Sequence, residues 1–130
     1  MIALDTTAII DIFKGDIQLK KILDGIKEQL VTTLINHQEI MFGLDLMDPA
    51  YKKEEDYYDD FFQSITILSN DVESSKKGSE IFWELKRQGK IIGRFDCMIA
   101  GILLTKGVQK LITKNKKHFE NIKGLKVLSY

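Results

Sequence analysis

The sequence contains one cysteine and one proline, and it has no long apolar run. The lone Cys97 excludes an internal disulfide framework and a cysteine-based zinc site, and it is typical of a reducing compartment. The apolar segment MIAGILL falls far short of the roughly 20 residues that span a membrane. Near the N-terminus, Asp5 and Asp11 interrupt the apolar residues without a preceding basic segment, so no signal peptide or anchor is predicted. We therefore expect a cytoplasmic protein with no membrane partner.

Several common functional motifs are also missing. The chain has no G-x-x-x-x-G-K-[ST], G-x-G-x-x-G, H-E-x-x-H or G-x-S-x-G motif, and His37 and His118 are too few and too separate for a zinc site. With 130 residues, a hydrophobic content of 44% and no internal repeat or linker, the chain fits one domain, residues 1–130.

Neither sign of charge dominates the whole chain, but its two parts differ. Residues 1–83 contain 8 basic and 16 acidic side chains, whereas residues 84–130 contain 11 basic and 3 acidic side chains. Such a division indicates either a basic surface for a polyanion or oppositely charged faces that pair with each other or with a second subunit. The charge pattern alone leaves these alternatives open.

Short apolar strands alternate with amphipathic helices along the chain. Strands are predicted at residues 1–4, 30–33, 65–68, 109–113 and 126–130. Helices are predicted at residues 6–15, 17–28, 34–47, 50–62, 72–89, from Asp96 onward, and in a short turn at 116–122. Alternation of this kind predicts an α/β fold around a mostly parallel sheet.

Polar side chains are predicted to meet at one edge of this sheet. Asp5 ends the first strand, and Thr113 and Asn115 come at the end of the strand QKLIT. Glu39 lies one to two turns into the helix after LVTT, and Asp96 lies in the first turn of its helix. Because the functional crevice of a parallel α/β sheet lies at the carboxyl ends of its strands, we expect these side chains to converge.

Convergent carboxylates favour a divalent metal site. Crowded carboxylates repel one another and raise each other's pKa unless a cation neutralises them. Hard oxygen ligands select Mg²⁺ or Mn²⁺, which can lower the pKa of a bound water and stabilise charge during attack on phosphorus. The residues therefore predict metal-assisted phosphodiester hydrolysis.

Each of these residues also has a simpler interpretation. Asp5 can cap the first helix, and Asp96 can complement its helix dipole, which is worth a few tenths of a kcal/mol to about 1 kcal/mol. Glu39, taken alone, is typical of an exposed helical glutamate, and Asn115 is a plausible turn residue. The metal-site hypothesis depends on their joint placement.

Three segments carry a resemblance to a known family: LDTTAIIDIF, TTLINHQEIMFG and GKIIGRFDCMIAGILLTKGVQKLITKNKKHFENIKGLKVLSY. In their order they resemble the motifs of PIN-domain proteins, and specifically of the VapC toxins of toxin–antitoxin operons. The resemblance covers almost the whole chain and is weakest between residues 47 and 80. It implies a three-layer α/β/α sandwich, a Mg²⁺- or Mn²⁺-dependent ribonuclease, a homodimer, and inhibition by a cognate antitoxin.

The resemblance also implies roles for individual residues. The catalytic and metal-binding acids would be Asp5, Glu39 and Asp96, with Asp5 and Asp96 holding the metal and Glu39 acting through water or as a base. Thr113 matches a supporting hydroxyl residue. Asn115 stands where many members have aspartate, and Thr7 replaces a common asparagine or serine.

The basic residues beside this edge are candidates for contact with RNA. Lys114, Lys116 and Lys117 can bind flanking phosphates, although each alone is equally typical of a solvated turn. Arg94 is a candidate for contact with a phosphate or with an antitoxin residue that mimics one. Phe82 and Trp83 lie on an amphipathic helix, which favours a core or dimer interface over base stacking.

Two alternative functions remain. A PIN-like module that binds RNA or a partner without activity is one, with Asn115 as the sign of a lost acid. A receiver-type phosphoacceptor domain is the other, although it requires paired acids after the first strand and an acceptor aspartate at the end of the central strand. A nuclease would cleave RNA in a metal-dependent way, and changing Asp5 or Asp96 would abolish the cleavage. The inactive module would show no such cleavage.

Overall fold

The computed structural model describes residues Met1–Tyr130 and has a five-stranded sheet at its centre. The strands are β1 (Ile2–Leu4), β2 (Leu30–Thr33), β3 (Thr66–Leu68), β4 (Lys110–Ile112) and β5 (Lys126–Leu128). They pair in the order β3-β2-β1-β4-β5, and every pair is parallel. The predicted mostly parallel sheet is confirmed, and β1 occupies its middle.

Seven α-helices connect the strands. They are α1 (Thr6–Lys14), α2 (Ile17–Asp24), α3 (Leu34–Phe42), α4 (Lys52–Gln63), α5 (Val72–Arg87), α6 (Arg94–Thr105) and α7 (Lys116–Phe119), and a 3-10 turn (Pro49–Tyr51) precedes α4. None of these helices is both long and apolar enough to cross a lipid bilayer.

Two predicted helices are shorter in the structure, and a glycine ends each of them. The helix predicted at residues 17–28 ends at Asp24, because the backbone N–H groups of Gly25 and Ile26 close its last turn on the carbonyls of Ile22 and Leu23. The helix predicted at residues 34–47 likewise ends at Phe42, with Gly43 as its C-cap. Glycine weakens a helix interior by about 1 kcal/mol relative to alanine, so it favours a stop at both places.

Alternate residues of β1 contribute to two separate cores. Ile2 and Leu4 pack with residues of α1, α2, α3 and α4, such as Ile9. Ala3 lies on the other face among residues of α5 and α6, such as Ile99. Helices therefore cover both faces of the sheet, and the predicted three-layer α/β/α sandwich is confirmed.

Helices α5 and α6 approach each other closely at two glycines. A Cβ atom on Gly101 would lie 2.6 Å from the Ser74 carbonyl oxygen and 2.8 Å from the Gly78 backbone nitrogen. A side chain at either glycine would push the helices apart. This contact fixes the position of α6, whose first turn carries Asp96.

Candidate active site

Asp5 lies at the carboxyl end of the central strand and is only 4% exposed. It occupies the N-cap position of α1, yet its side chain makes no capping hydrogen bond. Instead, Oδ1 accepts a hydrogen bond from Asn36 Nδ2 at 3.0 Å, and Oδ2 accepts one from Thr113 Oγ1 at 2.7 Å. The geometry therefore disagrees with the simple capping interpretation and directs this carboxylate toward the edge of the sheet.

Thr113, which follows β4, is fully buried behind Asp5. Its hydroxyl accepts a hydrogen bond from the Asn115 backbone nitrogen at 3.0 Å and lies 3.3 Å from the hydroxyl of Thr7. Thr7 Oγ1 in turn lies 3.5 Å from Asp5 Oδ2 and accepts a hydrogen bond from the Lys114 backbone nitrogen at 3.1 Å. The two threonines thus join the loop after β4 to the start of α1.

Glu39 lies in the second turn of α3 and is half-buried. Its Oε1 accepts a hydrogen bond from Thr6 Oγ1 at 2.7 Å. Burial raises the pKa of Glu39, the Thr6 hydroxyl opposes that shift, and the charges of Asp5 and Asp96 raise the pKa further. The interpretation of Glu39 as an exposed helical glutamate is therefore wrong, because the residue faces two other acids.

Asp96 lies in the first turn of α6, with 18% of its side chain exposed. Its Oδ2 lies 3.0 Å from His118 Nδ1. Burial raises the pKa of Asp96, His118 opposes the shift, and Asp5 raises the pKa further. The electrostatic effect of Asp5 on both other acids indicates that the three predicted carboxylates lie in one neighbourhood.

Sequence reasoning missed three polar residues of this neighbourhood. Asn36 bonds to Asp5, Thr6 bonds to Glu39, and His118 pairs with Asp96. In sequence, Asn36 looks like a capping residue at the start of α3, and its burial, which requires hydrogen-bond partners for the amide, appears only in the structure. The pairing of His118 with Asp96 depends on where α7 lies against α6, which no local pattern encodes.

The predicted supporting and basic residues differ in how they relate to the acids. The Asn115 side chain is exposed and makes no hydrogen bond, so only its backbone bonds to the Asp5 partner Thr113. Lys114 Nζ lies 3.4 Å from Asp11 Oδ2 and is therefore partly neutralised.

The other predicted basic contacts have no acidic partner. Lys116 and Lys117 are exposed at the start of α7 and form no ion pair. The Arg94 guanidinium lies 5.9 Å from the centre of the Phe82 ring. These three cations are free to meet an anionic ligand.

The donor set at this edge suits a hydrated hard cation. No lysine or arginine pairs with Asp5, Glu39 or Asp96. The acids do not form a closed cluster of three ligands. Mg²⁺, however, keeps several waters and is commonly bound through one or two carboxylates, so it does not require such a cluster. The residues present therefore fit a divalent ion.

Comparison with known proteins gives the class of the chain. The family model of the PIN domain matches residues 2–125. Ribonuclease VapC1 of Methanocaldococcus jannaschii is 32% identical over 128 residues, which cover 97% of this chain and 85% of that protein. The tRNA(fMet)-specific endonuclease VapC of Shigella flexneri is 36% identical over 66 residues, and the match spans 51% of this chain and 49% of that protein.

Solved structures agree with this class at the level of the fold. VapBC2 from Rickettsia felis, bound to a DNA fragment from its promoter, contains a chain that superposes with a TM-score of 0.86 at 22% identity, covering 100% of this chain and 99% of that chain. FitAcB from Neisseria gonorrhoeae contains one that superposes with a TM-score of 0.82 at 23% identity, covering 99% and 97%.

The chain therefore belongs to the PIN-domain family. Its relatives place it in the VapC group of that family. This membership confirms the resemblance read from the sequence and removes the receiver-type alternative.

Proposed function

We propose that this protein is a metal-dependent ribonuclease that acts as the cytoplasmic toxin of a toxin–antitoxin pair. The observation that carries the proposal is the group of three acids, Asp5, Glu39 and Asp96, at the carboxyl ends of a parallel sheet. Burial and the charge of Asp5 raise the pKa of Glu39 and of Asp96, as expected where an ion of opposite charge belongs. The relatives named as ribonucleases support the choice of RNA as substrate.

Each acid has a distinct part in the proposed mechanism. A bound Mg²⁺ or Mn²⁺ would supply a Lewis acid and lower the pKa of an attacking water. Asp5 and Asp96 would hold the ion, and the bond from Thr113 to Oδ2 holds the Asp5 carboxylate in place. Glu39, whose pKa burial raises, suits a base that orients water and accepts its proton.

The exposed cations provide the proposed contact with RNA. Lys116 and Lys117 follow directly after the loop that holds Thr113, and Arg94 lies two residues before Asp96. Phosphates on either side of the scissile bond can therefore pair with these side chains. Asn115 carries no charge, so the site has three acids, a number better suited to one ion than to two.

Two protein partners belong to the proposal. The matched structures include toxin–antitoxin complexes, which supports an antitoxin for this chain as well. Trp83 and Phe95 are each 49% exposed on α5 and α6, and such large apolar side chains favour a homodimer interface.

Cleavage of a labelled structured RNA tests the activity. We expect purified protein to cleave with Mn²⁺ or Mg²⁺ and to lose activity in EDTA and in an Asp96→Asn variant that circular dichroism shows to be folded. Glu39→Gln is expected to lower kcat by about 10²–10⁴-fold, the usual contribution of general base catalysis. Asp24→Asn, which removes an exposed acid paired with Lys20, serves as the control and should cleave normally.

The inactive-module alternative predicts a different result. Metal-independent cleavage, or equal cleavage by Asp96→Asn, would reject this site as the nuclease centre. RNA binding without cleavage, by a folded protein that also binds no Mn²⁺, would favour the inactive module.

A further inference from the structure

Asn36 is a buried residue that connects two of the three acids. We propose that Asn36 is a positioning residue that holds Asp5 and Glu39 in one fixed arrangement, directly at Asp5 and through Thr6 at Glu39. The catalytic consequence of this inference rests on the proposed function, whereas its geometric basis does not.

The amide of Asn36 has one orientation. The residue is 1% exposed, and its Nδ2 donates to Asp5 Oδ1 and to Thr6 Oγ1, both at 3.0 Å. Its Oδ1 accepts the hydroxyl of Thr33 at 2.7 Å. Because an ionised carboxylate can only accept hydrogen bonds, the nitrogen must face Asp5, and a flipped amide would leave two acceptors opposed.

The orientation of the amide fixes the proton of Thr6. Thr6 Oγ1 receives a hydrogen from Asn36, so its own single hydrogen is available for Glu39 Oε1, 2.7 Å away. The hydrogens of Asn36 and Thr6 thus point along the chain of bonds toward the two carboxylates. This one-way arrangement holds both acids in place at a separation set by the side chains of Asn36 and Thr6.

The Nδ2 group of Asn36 has no part in capping α3. The capping box uses the Asn36 backbone nitrogen, which donates to Thr33 Oγ1, and the Asn36 side-chain oxygen, which accepts from the Thr33 backbone nitrogen. A helix cap therefore needs only the oxygen of this side chain. The two hydrogens on Nδ2 are directed at the candidate site alone.

The test compares Asn36→Ala with Asn121→Ala, an exposed asparagine whose side chain makes no hydrogen bond. Folding is measured by circular dichroism and thermal unfolding in EDTA. Mn²⁺ affinity is measured by calorimetry without RNA, and kcat and KM are measured with RNA. We expect Asn36→Ala to weaken Mn²⁺ binding and to lower kcat by about 10–100-fold each, the usual cost of losing a group that orients a metal ligand, while KM changes little.

A second variant examines the path to Glu39 and leaves the helix cap intact. Thr6→Val should lower kcat, and the double variant with Asn36→Ala should lose less than the product of the two single effects, because the action of Asn36 on Glu39 runs through Thr6. If Asn36→Ala fails to fold, the kcat of Thr6→Val tests the proposal instead. An unchanged kcat in folded Thr6→Val would overturn it.

Failure of this inference is distinguishable from failure of the proposed function. If Asn36→Ala folds and keeps the Mn²⁺ affinity and kcat of the wild type, the positioning role of Asn36 is wrong. An inactive Asp96→Asn variant would still support the nuclease activity in that case. If the wild-type protein binds Mn²⁺ but cleaves no RNA, the proposed nuclease activity is wrong. Weaker Mn²⁺ binding by Asn36→Ala would then still support the positioning role. Wild-type protein that neither binds Mn²⁺ nor cleaves overturns both.

Discussion

At the scale of single residues, the Asp5 carboxylate depends on a buried hydroxyl. Thr113→Val preserves the shape of the side chain but removes its bond to Asp5 Oδ2. We expect the free energy of unfolding to fall by about 1.5–3 kcal/mol, the usual value of a hydrogen bond to a charged group. Urea denaturation in EDTA measures this change without any contribution from metal.

Thr105→Val is the matched control for that substitution. The Thr105 hydroxyl bonds only to carbonyls of its own helix, those of Gly101 and Ile102. Its loss should therefore cost much less. Equal losses in the two variants would mean that the bond to Asp5 contributes no more than an ordinary helical hydroxyl.

Residues directly after strands were predictable, whereas residues that reach the site across helices were not. The carboxyl ends of β1 and β4 meet at one edge, so a one-dimensional pattern suffices to bring Asp5 and Thr113 together. Glu39 was placed correctly but its burial was not, because its own helix does not reveal that α1 packs against α3. Asn36 looks like a capping residue in sequence, and its second set of bonds depends on that same packing.

At the scale of elements, the contact between α5 and α6 positions Asp96. Gly101→Ala would place a methyl group 2.6 Å from the Ser74 carbonyl oxygen, and backbone atoms cannot rotate away. Overpacking of this kind costs about 1–3 kcal/mol or more, so we expect a lower thermal midpoint and lower activity as α6 shifts. Gly25→Ala meets its nearest atom at 3.6 Å and should be nearly neutral. A Gly101→Ala variant as stable as Gly25→Ala would contradict the close packing.

The start of α5 gives a prediction about pH. The Lys106 ammonium, 2.7 Å away, and the Ser74 backbone N–H lower the pKa of Asp71 to about 2 from its ordinary 3.8. A carboxyl whose pKa is lower in the folded state stabilises the fold above its ordinary pKa, and this stabilisation disappears as the pH falls from 3.8 toward 2. Asp71→Ser keeps a capping oxygen but no charge.

The stability of Asp71→Ser should therefore approach that of the wild type as the pH falls. Urea denaturation between pH 2 and pH 7 measures the difference, with the largest gap above about pH 4. Asp48→Ser is the control, because Asp48 also caps a turn, through Ala50, but has no basic partner. A pH-independent gap at Asp71 would assign its whole effect to the cap.

At the scale of the whole molecule, the acidic and basic parts of the chain partly neutralise each other. Three ion pairs join residues 1–83 to residues 84–130: Asp71 with Lys106, Glu28 with Lys110, and Asp11 with Lys114. The pairing of oppositely charged surfaces, one of the two interpretations that the charge pattern left open, therefore occurs within this chain. The basic excess that remains includes Lys116 and Lys117 at the start of α7, the helix whose His118 pairs with Asp96.

Salt dependence tests whether this remaining charge meets RNA. A lysine that contacts a single-stranded phosphate contributes about 0.7 to the slope of log affinity against log salt. We expect Lys116→Gln with Lys117→Gln to raise KM for RNA at low salt and to reduce that slope by about 1.4, with kcat unchanged. Lys110→Gln removes one positive charge at the opposite end of β4, where Glu28 already neutralises it, and should leave the slope unaltered. If the salt slope of the Lys116→Gln, Lys117→Gln variant equals that of Lys110→Gln, the RNA binds elsewhere. The lysines of α7 would then be solvated surface charges.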